Sequence, residues 1–175
     1  MGRGNSRSEL KEYTEAIRDH TIAIRLKPDY WAAYHNRGNS RFEIKDYTGA
    51  IEDYTAAIRG KSDYWEAYMG RGSTRLALKE YTAAIEDYTT AIRLKPDYWG
   101  IYNNRGTSRF ELKQYTGAIE DYTNAIRLNP GESYLYENRG IAREKSGDST
   151  GACDDYRKSC SLGNRGCAAL NSCKP

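Results

Sequence analysis

The chain has 175 residues, 38% hydrophobic and 29% charged, with a mean hydropathy of −0.89. Its 27 basic and 24 acidic residues leave a formal charge of +3, too balanced for the footprint of a nucleic-acid binder. No apolar run approaches the ~20 residues of a membrane span, so no membrane insertion is expected, and no secretory signal is visible at Met1, although a cleaved one would be absent from a mature chain.

One spacing governs the chain from its start. Arginine-glycine pairs close at Gly4, Gly38, Gly72, Gly106 and Gly140, a step of 34 residues, and alanine-isoleucine doublets beginning at Ala16, Ala50, Ala84 and Ala118 keep the same step. Such a period reads as stacked supersecondary units, each burying its face on its neighbours. The expected units are 1–30, 31–64, 65–98, 99–132 and 133–164 within a single domain 1–175, with a capping helix over 165–174. Most of the 16 tyrosines fall at fixed places in the unit, which makes them packing residues first.

The first unit is short. Residues 1–10 supply the later part of a first helix, Lys11-Glu12 reads as a turn, and a second helix is expected over 14–26. From there each unit is a helix A and a helix B joined by a turn of the type Lys45-Asp46-Tyr47. In the B helices Ile51, Tyr54, Ala57 and Ile58 lie on one helical face. Pro28 and Pro96 end B helices, and Asp29, Asp63 and Asp97 are placed to N-cap the A helices that follow.

The A helices carry arginine pairs Arg37/Arg41, Arg71/Arg75, Arg105/Arg109 and Arg139/Arg143, each on one face by its i, i+4 spacing. An antiparallel A/B hairpin brings them alongside Asp53, Asp87, Asp121 and Asp155. Buried charge is costly unless paired, so both signs repeating in register predict ion pairs. An arginine-lined anion groove is the competing reading. The segment Arg59-Gly60-Lys61-Ser62 replaces the Arg-Leu-Lys-Pro found at 25–28 and 93–96, which makes it the place to expect a bend.

The unit over 99–132 resembles the tetratricopeptide repeat: Tyr102, Gly106, Ala118, Tyr122, Ala125 and Pro130 occupy that family's signature places, with Arg105 and Arg109 standing where Leu and Tyr are usual. The resemblance covers residues 1 to about 162. It implies an all-α fold, a right-handed α-solenoid of antiparallel helix pairs with about four full units, and a groove lined by A helices. In that groove it places His35, Asn36 and Asn39, then Met69, Gly70 and Ser73, then Asn103, Asn104 and Thr107, and finally Glu137 and Asn138. Asparagine both donates and accepts, so such a row suits the backbone of an extended peptide. Chaperone-binding members of the family clamp a terminal carboxylate, but Ala32, His35 and Gly100 stand where basic residues would help.

Past Asp148 the repeat degenerates, with Cys153 and Cys160 at the two isoleucine places and Cys167 and Cys173 beyond a Leu162-Gly163-Asn164 break. These cysteines lack the close spacing of a structural zinc site, and the two histidines, His20 and His35, are far off in sequence, so neither a metal nor a catalytic thiol is expected. In a helical hairpin turning at Gly163, cysteine positions rise by seven along one helix and fall by six along the other. That predicts Cys153 paired with Cys173 and Cys160 with Cys167, or else four reduced thiols in an apolar setting. Disulfides imply export to the periplasm, the surface or outside the cell, and reduced thiols imply the cytoplasm. The tail also resembles the end of a Sel1-like, cysteine-rich repeat over about 25 residues.

No phosphate loop, nucleophile elbow or dinucleotide fingerprint is present. The expectation is a non-enzymatic module without cofactor, whose partner is a protein or peptide. A scaffold stacking through its terminal repeats as a homo-oligomer, and a Sel1-like hydrolase, stay open as alternatives.

Overall fold

The computed structural model describes residues 2–163 and Cys173, with side chains described from residue 11 onward. Among the described residues the chain is wholly helical: α1 (Gly2–Leu26), α2 (Trp31–Glu43), α3 (Tyr47–Gly60), α4 (Trp65–Ala77), α5 (Tyr81–Leu94), α6 (Trp99–Glu111), α7 (Tyr115–Leu128), α8 (Ser133–Ser146) and α9 (Ser149–Ser161). The fold class is an all-α helical repeat solenoid. The helices group into two compact units, Met1–Leu94 and Lys95–Pro175. In the first unit α2 pairs with α3 and α4 with α5, while α1 packs on α2 and α3 on α4. In the second, α6 pairs with α7 and α8 with α9, and α7 packs on α8.

The repeated small residues set how closely these helices meet. Ala50, Ala57, Ala84, Ala91, Ala118 and Ala125 have no exposed surface, and the tyrosines Tyr54, Tyr88, Tyr122 and Tyr156 fill the space beside them. A Cβ on Gly106 would lie 2.9 Å from the Tyr122 ring and 3.2 Å from Asp121 Cβ, so only glycine lets α6 sit this close to α7. The recurring arginine-glycine pair thus has a packing cause at its second residue.

Three A-to-B turns close through a lysine in the left-handed conformation: Lys45 (φ 64°), Lys79 (φ 63°) and Lys113 (φ 59°). At the α8–α9 turn the same role falls to Gly147 (φ 93°). Left-handed backbone is unfavourable for a residue with a Cβ. The turn is held by backbone bonds on either side, Asp46 N–H to Arg41 O at 2.8 Å and Lys45 N–H to Phe42 O at 2.9 Å.

Two sequence expectations need correction. First, Lys11-Glu12 is not a turn: α1 runs unbroken from Gly2 to Leu26. Residues 2–10 contain one apolar residue, Leu10, and none of the tryptophan and tyrosine that open the later A helices. Little packing energy is therefore on hand to offset a left-handed lysine, and the helix continues. Asp19, at the register position of the buried Asp53, is accordingly exposed.

Second, Asp29 and Asp63 do not N-cap α2 and α4. The cap residues are Tyr30 and Tyr64, neither with a side-chain cap bond, and the aspartates precede them, offering backbone carbonyls to Trp31 N–H and Trp65 N–H. Asp97 likewise precedes the cap residue Tyr98 and pairs with Lys95 at 2.9 Å. Side-chain caps occur instead on B helices, where Asp46 accepts from Gly49 N–H and Asp148 from Gly151 N–H.

Gly60 is the last residue of α3, where a Cβ would stand 3.1 Å from Trp31 Cβ. Lys61 then lies over Trp31, its Nζ 4.7 Å from the ring centroid, and Trp31 meets Tyr64 edge-on at 4.8 Å. The expected capping helix over 165–174 lies outside the described residues apart from Cys173.

Candidate functional site

The A-helix arginines belong to the scaffold. Asp121, with no exposed surface, receives Arg105 Nη2 at 2.7 Å and Nε at 3.0 Å on one side and Arg109 Nη1 at 2.8 Å on the other. The same fork recurs as Arg37 and Arg41 on Asp53, Arg71 and Arg75 on Asp87, and Arg139 and Arg143 on Asp155. Remaining donors are used as well. Arg71 Nη1 donates to Thr55 Oγ1 at 3.0 Å, Arg109 Nη1 to Gly117 O at 3.2 Å, and each first arginine lies against the tyrosine three residues before it, as Arg105 does on Tyr102. The Asp53 carboxylate holds the Arg37 guanidinium above its ordinary pKa through their hydrogen bonds. These are intra-repeat ion pairs, and the anion-groove reading falls with them, since the guanidinium groups already hold carboxylates.

The A-helix face carries the residues expected in the groove, and the structure divides them into two kinds. Asn39, Ser73 and Thr107 hold the hydroxyls of the B-helix tyrosines beneath: Tyr54 Oη donates to Asn39 Oδ1 at 2.8 Å, Tyr88 to Ser73 at 3.2 Å and Tyr122 to Thr107 at 3.3 Å. Their first task is to fix the floor. Burial drives the Tyr122 phenol up to about 12, the hydrogen bond to Thr107 opposing this and the Asp121 and Glu111 carboxylates adding to it, so it stays a neutral donor well past physiological pH.

The remaining residues are described in each unit separately. In the first, His35 is half-buried between Tyr64 and Tyr54, at 4.9 and 5.8 Å between ring centroids, and burial lowers its pKa against the opposing pull of Asn36 and Glu66. Asn36 is exposed and meets His35 Nδ1 at 3.3 Å. Met69 is half-buried. Gly70 lets α4 settle on Tyr54, for a Cβ there would lie 2.7 Å from the ring.

In the second unit three asparagines form a chain across two A helices. Asn138 Nδ2 on α8 donates to Asn103 Oδ1 on α6 at 3.1 Å, and Asn103 Nδ2 donates to Asn104 Oδ1 at 3.2 Å. Beside this bridge a cavity of about 180 Å³ opens, lined by Thr107, Phe110 and Glu111 of α6, Tyr122 of α7, and Asn138 and Ile141 of α8. Thr107 and Asn138 were legible in the sequence, whereas Phe110, Glu111, Tyr122 and Ile141 were not read as site residues. Extending the helical face from Thr107 by three and four places, and from Asn138 by three, would have found three of them.

At the C-terminal end Cys153 and Cys173 are joined as a disulfide, 5.6 Å apart at Cα. Cys160 is also disulfide-bonded; its expected partner, Cys167, lies outside the described residues. Among the described residues no group of three or more His, Cys, Asp or Glu side chains is placed to hold a metal ion, and no helix is long and apolar enough to cross a membrane.

Comparison with known proteins bears on the fold. No curated protein matches the chain. Among solved structures, a MamA crystal structure is 24% identical with a TM-score of 0.85, covering 96% of this chain and 98% of that one. MamA from Desulfovibrio magneticus RS-1 is 20% identical with a TM-score of 0.82, covering 91% and 92%. YrrB, described as a TPR protein with an unusual peptide-binding site, is 18% identical with a TM-score of 0.81, covering 98% and 88%. At these identities the likeness is one of fold. Models of the tetratricopeptide repeat match residues 1–64, 36–98 and 100–132, and with most of the sequence matched in the register of its own 34-residue step, the chain belongs to the tetratricopeptide repeat family.

Proposed function

We propose that this protein is a non-catalytic interaction module that binds an extended peptide or protein segment on its A-helix face. The observation that carries the reading is the asparagine chain Asn104–Asn103–Asn138, which ties two A helices together beside an open cavity. Amide side chains held in fixed orientation offer a peptide backbone both donors and acceptors without a large ordering cost. In the first unit His35, Asn36 and Met69 form a proposed contact surface of their own, with Asn39 and Ser73 setting its floor. YrrB, similar in fold, is described by its peptide-binding site, which lends this reading a precedent.

The second part of the proposal concerns compartment. The Cys153–Cys173 bond supports a protein matured under oxidising conditions, in the periplasm, at the surface or outside the cell.

The test is a peptide-display screen on the intact protein, repeated with Asn36, Asn103 and Asn104 all changed to Ala. Peptides enriched by the native chain and lost by the variant, at unchanged far-UV circular dichroism, are the expected result. Equal enrichment by both would place binding elsewhere. A mass that grows with concentration in light scattering, with no peptide enriched, would favour self-assembly through the terminal repeats.

A further inference from the structure

The irregular segment Arg59-Gly60-Lys61-Ser62 borders a second cavity, in the first unit, that shares no residue with the proposed contact surface. Its volume is about 240 Å³, and Pro28, Tyr34, Ala56, Arg59 and Gly60 line it. Small residues stand here where the second unit has larger ones. Two periods on, Pro96 and Tyr102 hold the register of Pro28 and Tyr34, while Asn124 and Leu128 hold that of Ala56 and Gly60. The tyrosines differ as well. Tyr102 donates its hydroxyl to Pro96 O at 3.0 Å, and Tyr136 donates to Pro130 O at 3.2 Å. Tyr34 makes no such bond to Pro28: its ring lies against Arg37, and its hydroxyl has no hydrogen-bond partner among the described residues.

Arg59 is the charged group of the lining. Exposed in the last turn of α3, it forms no ion pair or hydrogen bond among the described residues, and so pairs with none of the exposed carboxylates nearest in sequence, Asp29, Glu52 and Asp63. The other cations close by are engaged. Arg37 is held by Asp53, Lys27 lies over Tyr30, and Lys61 lies over Trp31 and Tyr64. What the cavity has left to offer a ligand is donors: the guanidinium fork of Arg59 and the hydroxyl of Tyr34. Pro28, Ala56 and Gly60 add a short apolar wall.

We infer that this cavity is a binding site for a small monocarboxylic acid, its carboxylate received by Arg59 and Tyr34 and its short aliphatic body by Pro28, Ala56 and Gly60. A planar carboxylate matches the guanidinium fork in bidentate fashion. A dianion such as phosphate fits less well, because one cation must also answer the partial negative charge at the carbonyl end of α3. Size narrows the ligand further, since the cavity is below the ~300–1,000 Å³ of usual small-molecule sites. This site is independent of the A-helix face and of what binds there.

The experiment is an NMR titration of the full chain with isovalerate, and separately with isovaleramide, inorganic phosphate and an end-blocked pentapeptide carrying glutamate between paired glycines. Isovalerate is expected to shift the Ala56 and Gly60 backbone amides and the Arg59 Nε–H, with the neutral amide and phosphate leaving them in place. Arg59→Gln, an exposed substitution, should weaken isovalerate roughly tenfold or more at unchanged far-UV circular dichroism. Gly60→Leu, which restores the residue of the other hairpins, should fill the cavity and remove the shifts. No response to isovalerate, equal shifts from isovaleramide, a preference for phosphate, or binding indifferent to Arg59→Gln would each overturn the inference. Tighter binding of the glutamate peptide at the same amides would also overturn it, by making the ligand a protein carboxylate and not a free acid.

Discussion

A single aspartate holds each helical hairpin at its centre. Asp121 is fully buried and meets two guanidinium groups, so Asp121→Ala would strand both in a dry site and should cost about 3 kcal/mol or more in chemical denaturation. Asp19→Ala, at the same register position but exposed, should change stability by no more than about 0.5 kcal/mol. Tyr122 makes a second expectation. Free tyrosine in the unfolded chain ionises near pH ~10, and Tyr122 in the folded chain keeps its proton to about 12. Between those values the folded state binds more protons, so stability falls as pH rises through the window. Denaturant midpoints at pH 9, 10 and 11 should decline less steeply in Tyr122→Phe, and an identical slope would remove Tyr122 from the account.

At the scale of the element, capping separates the two helix types. Asp46→Ala and Asp148→Ala remove side-chain caps from α3 and α9 and should each cost about 1 kcal/mol, whereas Asp29→Ala removes none and should be close to neutral. Equal losses at Asp29 and Asp46 would show that the turn, not the cap, is what these aspartates support. The helices and the arginine-aspartate pairing were legible in the sequence, because a fixed step repeats every packing constraint several times over. What the repeat does not carry was harder to read. Residues 2–10 follow the register at Gly4 and yet leave out the aromatics that would fold them back, so α1 stays straight. Gly60 packs against Trp31, a contact between residues 29 places apart that no local propensity encodes. The cavity was half legible: Thr107 and Asn138 have polar side chains that draw attention, while Phe110 and Ile141 resemble ordinary core until the helices are set side by side.

At the scale of the molecule, solenoid stability is a sum over units and their nearest-neighbour interfaces. The disulfide from α9 to Cys173, across a sequence separation of 20, adds a covalent crosslink to the last described hairpin. Its reduction should cost ~2–4 kcal/mol, read as a lower and broader thermal transition. Non-reducing mass spectrometry of protein matured in its native compartment checks the pairing directly. Cys153 found bonded to Cys160 would overturn that pairing.

The left-handed lysines have a consequence for proteases. Lys45, Lys79 and Lys113 are exposed at the apex of successive hairpins, in a backbone already bent out of the helix, while the lysines of two B-to-A connections, Lys27 and Lys95, precede prolines that block tryptic cleavage. Brief digestion with trypsin should therefore cut first after those three residues, since exposed turn apices are where proteases nick a folded chain. The products would differ in mass by one repeat at a time, so the protease would read the period of the sequence back as a ladder on a gel.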